Sequence, residues 1–192
     1  MEMKGKVIGE MAIFIIAILA LSVFSGCAEE KETTVQTTTP PPGFITYENS
    51  THGIKIMYPQ EWEKLENYMG TTVLFRSPLE NSSDTFQENV NIAYETVTSS
   101  MTLKDYTDLS IDQIKNTFEG IELIESNSAN LAGVPAKRVV FKGKQYGYDL
   151  KWLQFYLLKG NKAYVITYTA EENKFDKYMS TVQTMVNTFE IL

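Results

Sequence analysis

Four hydrophobic patterns follow one another along the chain. Met11 to Phe24, MAIFIIAILALSVF, is apolar apart from Ser22. Glu29 to Pro42, EEKETTVQTTTPPP, has almost no apolar side chain. From Gly43 onward, short runs alternate with period two, as half-buried strands do. FITYEN (44–49), GIKIMYP (53–59), TTVLFRSP (71–78) and ENVNIAYETV (88–97) read as four strands. Asn49 to Gly53 is a turn, and LENSSDTFQ (79–87) a polar loop. The period then becomes helical. Between Thr102 and Gly120, the residues Leu103, Thr107, Ile111, Ile114 and Phe118 fall on one face. Thr102 and Asp105 have the spacing of a capping box, and Gly120 offers a stop.

Strands return in IELIESNSANLA (121–132), VPAKRVVFKGK (134–144), YDLKWLQFYLLKG (148–160) and KAYVITYTAEE (162–172). Gly160-Asn161 joins the last two as a two-residue hairpin turn. The closing segment, 174–192, predicts an amphipathic helix with Phe175, Tyr178, Met179, Val182, Met185, Val186 and Phe189 as its stripe. The late strands are apolar on both faces: Trp152 and Tyr156 alternate with Leu153, Phe155 and Leu157, and Val165 with Tyr164, Ile166 and Tyr168. Such strands need cover on two sides. Two amphipathic helices and a crossing loop can supply it, which predicts an α+β fold, an α/β/α sandwich with a central antiparallel sheet.

The first apolar run is a sorting signal. Lys4 and Lys6 precede it and small residues follow it. Met11 to Gly26 as a helix covers about 24 Å, against about 30 Å of bilayer hydrocarbon. Ser25-Gly26-Cys27 resembles the end of a lipobox, the processing site of prokaryotic lipoproteins, with Phe24 where an aliphatic residue is usual. The resemblance implies that residues 1–26 are removed and that Cys27 carries lipid. The alternative is an uncleaved signal anchor with an incidental Cys27. Either way the domain stands on the outer face of the cytoplasmic membrane. Residues 27–42 then form the attachment cysteine and a Thr/Pro-rich tether, a spacer of about 40 Å at roughly 3 Å per residue. It is either O-glycosylated or an unmodified linker. Residues 43–192 form one domain.

Several motifs in that domain resemble PsbP-like proteins. GIKIMYPQEW (53–62) is similar to the family's Gly-x-x-x-x-Tyr-Pro-x-x-Trp opening. LFRSP and ENVNIAYETV resemble its next strands, with Asn89 at a usual Asn, and LAGVPAKRVVFKGK its Gly-x-Pro-Ala hairpin strand. The resemblance spans Phe44 to Leu192 and implies the Mog1/PsbP-like fold in a prokaryotic lipoprotein of archaeal character. Known members include a photosystem II subunit, assembly factors and a Ran-GTPase partner. These roles share no catalytic centre.

Composition narrows the chemistry. Cys27 is the sole cysteine and His52 the sole histidine. Zinc sites and Cys/His catalysis therefore lack ligands, and His52 reads as a solvated turn residue. The chain has no Gly-x-Ser-x-Gly elbow and no Gly-rich phosphate loop. Asp105, Asp108 and Asp112 share helical spacing and read as a solvated face. A pair of carboxylates for glycoside chemistry is not ruled out by count, and the family resemblance leaves calcium or manganese open. The net charge is −7, unchanged by loss of residues 1–26, which hold two Lys and two Glu. An acidic chain without a basic cluster does not suit nucleic acid or anionic lipid headgroups. Trp62, Trp152, Tyr146, Tyr148 and Tyr156 are either a binding patch or core. Asn49-Ser50-Thr51 and Asn81-Ser82-Ser83 are N-glycosylation sequons in turns.

The expectation is a membrane-anchored interaction module, not an enzyme, with no cofactor and no metal. Its partners are the bilayer, through Cys27, and an unidentified membrane or surface protein that it docks on or helps assemble. The alternative is a surface lipoprotein that binds a small ligand or glycan. Intact mass of native protein tests the anchor. Mature chains begin at a lipid-bearing Cys27, and Cys27→Ser loses that mass and leaves the detergent phase; mature chains beginning at Met1 reject the lipoprotein reading. The same spectrum reads glycans as mass lost in Asn49→Gln or Asn81→Gln.

Overall fold

The computed structural model describes residues 40–118 and 120–192. Cys27, the 1–26 signal and most of the tether lie outside the described residues. Seven strands form one antiparallel sheet. In spatial order they are β3 (Glu63–Glu66), β4 (Val73–Arg76), β5 (Asn89–Thr96), β9 (Lys162–Glu171), β8 (Tyr148–Lys159), β7 (Val134–Gln145) and β6 (Glu122–Leu131). A smaller antiparallel sheet holds β1 (Phe44–Asn49), β2 (Ile54–Pro59) and β10 (Glu190–Ile191), with β2 in the middle. The two helices are α1 (Leu103–Thr117) and α2 (Met179–Asn187). This is the expected α+β fold.

The alternation in β8 and β9 separates two cores. Leu153, Phe155, Leu157, Tyr164, Ile166 and Tyr168 join β2, β4, β5 and α2 in the first. Trp152, Tyr156, Ala163 and Val165 join Tyr106 and Ile114 of α1 in the second. The expectation of two helices and a loop as cover needs one amendment. One face is covered by α1, the other by α2 together with the three-stranded sheet. Every residue of β2 is buried, so it too is covered on both sides.

The chain departs from its sequence periodicity where tertiary partners take over. β3, EKLE, shows no apolar alternation; it is an edge strand held to β4, with Arg76 and Glu63 paired at 2.5 Å. The helix expected over 174–192 is shorter. Residues up to Tyr178 form turns, Thr188 caps the C-terminus, and Glu190–Ile191 pairs with β2. The Thr188 hydroxyl donates to the Met185 carbonyl at 2.8 Å and accepts the Met57 N–H at 2.9 Å. The apolar stripe persists because turns and strand bury Phe175 and Phe189 in the same core. α1 ends at Thr117, before Gly120, because Phe118 is extended (φ −117°, ψ 126°). At its start Thr102 Oγ1 accepts the Asp105 N–H at 3.1 Å. The Asp105 carboxylate takes the Thr102 hydroxyl hydrogen at 2.6 Å, since Asp is one methylene shorter than the usual Glu. Tyr106 and Ser110 join Thr107 and Ile114 as the buried residues of α1.

Three two-residue turns set the register of the last four strands. Ala132-Gly133 and Tyr146-Gly147 have positive φ at both positions (51° and 73°, 52° and 86°), the type I′ geometry. Gly160 alone is positive (63°) in its turn, which fits type II′. Leu157 is fully buried and Leu79 is 50% exposed. Leu157→Ala therefore loses about 2–5 kcal/mol in urea unfolding, while Leu79→Ala stays within about 0.5 kcal/mol of wild type.

Candidate functional site

The most unusual chemistry lies where the β4–β5 loop, residues 77–88, meets the segment after β9. Asp84 organises the loop. Its Oδ2 accepts the Glu80 N–H at 2.9 Å and its Oδ1 the Phe86 N–H at 3.3 Å. Gln87 Nε2 donates to the Ser77 carbonyl at 2.6 Å, and the Ser77 N–H to the Glu88 carbonyl at 2.8 Å. Lys174 then reaches across from the turn after β9. Its ammonium lies 2.8 Å from Asp84, 2.6 Å from Glu171 and 3.9 Å from Glu88. Lys177 and the Tyr178 hydroxyl hold Glu80 at 2.8 and 2.9 Å.

Electrostatics follow from this packing. The Glu80 N–H and the Lys174 ammonium hold the Asp84 carboxyl down at about 2. Burial opposes the charge of Lys174, but its bonds to Asp84 and Glu171 outweigh that and hold it above the ordinary lysine value. Glu88 is fully buried, and burial pushes its carboxyl up. Its Oε1 has no hydrogen-bond partner, and Ser77 Oγ reaches its Oε2 only at 3.5 Å.

A trough opens beside this cluster. One lobe, about 310 Å³, is lined by Glu122, Lys142, Gly143, Lys144, Asp149 and Glu172. The other, about 460 Å³, shares Asp149 and Glu172 and adds Tyr148 and Glu171. Its lysines are paired: Lys142 with Glu172 at 2.9 Å and Lys144 with Asp149 at 2.6 Å. A Cβ on Gly143 would stand 2.6 Å from Ile121 Cδ1, so a larger residue there requires the end of the Ile121 side chain to shift.

Polar side chains also interrupt the α1 face of the main sheet. Asn89, Asn91, Gln154, Thr167 and Thr169 are all buried there. The Tyr156 hydroxyl donates to Gln154, whose Nε2 donates to Thr167 Oγ1 at 3.1 Å. The Tyr106 hydroxyl donates to Glu95. Asn89 Oδ1 and Asn91 Oδ1 have no partner.

The residues singled out in the sequence are dispersed. Cys27 lies outside the described residues. Asn81 is exposed, its Oδ1 accepting the Ser83 N–H at 2.9 Å. Asn49 is half-buried, donating Nδ2 to the Tyr47 hydroxyl at 3.0 Å and accepting the His52 N–H at 3.0 Å. His52 is half-buried rather than solvated. Its Nδ1 lies 3.0 Å from the Tyr94 hydroxyl, and burial, then Lys162, lower its pKa. Asp105, Asp108 and Asp112 are exposed, Asp108 pairing with Lys104 at 2.5 Å. Of the aromatic set, Trp62, Trp152 and Tyr156 are core; Tyr148 is half-buried, and Tyr146, 67% exposed, tips a hairpin. Among the described residues no group of His, Cys, Asp or Glu side chains converges to hold a metal ion. The Lys174 cluster escapes sequence reading because 90 residues separate it from Asp84. Asn89 and Asn91 do leave a signal: both fall on one parity, alternating with the apolar Val90 and Ile92.

A family model described as PsbP-like protein matches residues 9–191. No curated protein matches the chain. Cyanobacterial PsbP (CyanoP) of Synechocystis sp. PCC 6803 is similar in structure, with a TM-score of 0.62 at 17% identity over 83% of this chain and 98% of that one. LpqN of Mycobacterium tuberculosis, involved in cell envelope biogenesis, gives 0.56 at 13% identity, over 78% and 85%. The Ran-binding protein Mog1p of Saccharomyces cerevisiae gives 0.54 at 10%, over 77% and 95%. At these identities the likeness is one of fold.

The folded Asp84 has a lower pKa than an unfolded aspartate. Its contribution to stability is therefore complete above about pH 4 and is lost as pH falls toward about 2. Urea midpoints across this range test the staple. Asp84→Asn is less stable than wild type at neutral pH, and the gap closes at about pH 2; a gap independent of pH contradicts the assignment.

Proposed function

The chain belongs to the PsbP-like protein family, and from that premise we propose that it is a membrane-anchored interaction module on the outer face of the cytoplasmic membrane. Cys27 carries the lipid, residues 28–42 hold the domain off the bilayer, and residues 43–192 dock on, or help assemble, a membrane protein complex. The observation that carries this reading is the extent of the family match. It begins at residue 9, just before the apolar run, and continues past Cys27 and residues 28–42 into the domain. A match that includes residues 9–42 together with the domain supports reading these segments as one unit.

The chemistry of the domain favours a non-catalytic role. The strongest charge cluster is spent on stapling the 77–88 loop to the segment after β9, with Lys174 facing Asp84, Glu88 and Glu171. His52 is engaged by Tyr94. Similar folds serve in a cyanobacterial PsbP, in an envelope-biogenesis protein and in a Ran-binding protein, which suits a scaffold that varies its surface. A second reading, binding of a small ligand or glycan, draws on the trough and its shared Asp149 and Glu172. On the exposed loop Asn81 is the better placed glycan acceptor, since the Asn49 amide is already bonded.

Crosslinking in native membranes distinguishes the two readings. The first expects one membrane complex captured by wild type, with capture reduced at least about tenfold in Cys27→Ser, because lost anchoring removes the effective concentration. Absence of protein capture, with glycan binding abolished by Asp149→Asn and Glu172→Gln, replaces the first reading by the second.

A further inference from the structure

The outer edge of the seven-stranded sheet is β6, which among the described residues pairs only with β7. Natural sheets guard such edges with charge, proline or bulges, because free backbone groups invite another strand. The first part of β6 is guarded. Its register shifts around Ile124, and Glu122 and Glu125 pair with Lys142 and Arg138. The stretch Ser126-Asn127-Ser128-Ala129-Asn130 has no guard of its own, the nearest charge being Lys137 of β7, which donates to Ser128 Oγ at 3.3 Å. It carries no charge or proline, its register with β7 is regular, and all but Ala129 are exposed.

Pairing fixes which backbone groups face outward. Leu131 and Val134 flank the two-residue turn and exchange both hydrogen bonds. Bonded and non-bonded pairs then alternate, so β7 bonds β6 through Val134, Ala136, Arg138 and Val140. Starting from the Gln145–Tyr148 turn, the same rule makes the odd-numbered residues of β7 bond β8, so the two derivations agree. The N–H and C=O of Ser126, Ser128 and Asn130 therefore point away from the sheet.

We propose that this edge is a dimer interface, on which β6 of a second copy pairs antiparallel about a two-fold axis at Ser128. The register is self-complementary. Ser128 meets Ser128 of the second copy, Ser126 meets Asn130, and Asn127 meets Ala129. These pairs exchange about six backbone hydrogen bonds with only small side chains in the way. Glu125 lies opposite Leu131 of the second copy and keeps its own Arg138, and Lys137 of each copy stays one strand back from the axis, donating to its own Ser128 Oγ at 3.3 Å. The two main sheets become one continuous sheet.

Disulfide trapping reads the axis directly. At a bonded antiparallel pair the two Cα atoms stand about 5.5 Å apart, within disulfide reach. In the full chain with Cys27→Ser, Ser128→Cys forms a covalent dimer under mild oxidation in solution, and Asn116→Cys on exposed α1 does not. Ser128→Pro removes an outward N–H and leaves the β7 ladder intact, so it keeps its circular dichroism and sediments as a monomer. Ser128→Lys does the same by placing two lysines on the axis. A Ser128→Cys yield no higher than that of Asn116→Cys overturns the proposal, as does a wild-type chain that sediments as a monomer at about 100 μM, well above the Kd expected of such an interface. So does a dimer that survives both folded Ser128 variants.

Discussion

Burial of both faces of β8 and β9 is the constraint on which the rest of the structure depends. Every residue from Trp152 to Leu157 and from Ala163 to Ala170 is buried. No single layer can cover two apolar faces, so the chain must supply two. One is α1, set on the Trp152 and Tyr156 side. The other combines α2 with β1, β2 and β10 on the Leu153, Leu157 and Tyr168 side. The small sheet is thus a consequence of the large one. β2 leaves the main sheet to serve as cover, and the chain end returns to pair with it.

The cores are not wholly apolar, and the exceptions are ordered. On the α1 face a row of Asn, Gln and Thr replaces aliphatic packing, while the first core remains hydrocarbon and aromatic. Buried polar groups of this kind favour one register over its neighbours, because a slip would strand every donor and acceptor. At the end of the sandwich the same logic is applied with charge. Glu88 and Asp84 are tolerable beneath the loop only because Lys174 stands between them. Removing one partner of such a set leaves an uncompensated charge, which ties the 77–88 loop to the segment leading into α2.

The comparisons separate two levels of inference. Structures at 10–17% identity share the fold of this chain. An envelope-biogenesis protein and a Ran-binding protein share it, which is expected when the scaffold is set by core burial and the role by surface residues. Loops and edges vary at little energetic cost.

Sequence alone determined what depends on local periodicity and order. The period-two runs located eight of the ten strands among the described residues, all but β3 and β10. The helical period located α1 and the stripe of α2, and the double-faced apolarity of β8 and β9 required a sandwich. The order of GIKIMYPQEW, ENVNIAYETV and LAGVPA carried the family. The expectations of a signal, a lipid-bearing Cys27 and a tether rest on linear segments, and lie for the most part outside the described residues. Tertiary structure decided whatever rests on contacts distant in sequence. β3 exists because β4 offers an edge. α2 stops at Asn187 because Thr188 and β2 capture the next backbone groups. The Lys174 cluster joins residues that no periodicity links. The free edge of β6 is defined by which strand fails to lie beside it, and a single strand's pattern does not encode its neighbours.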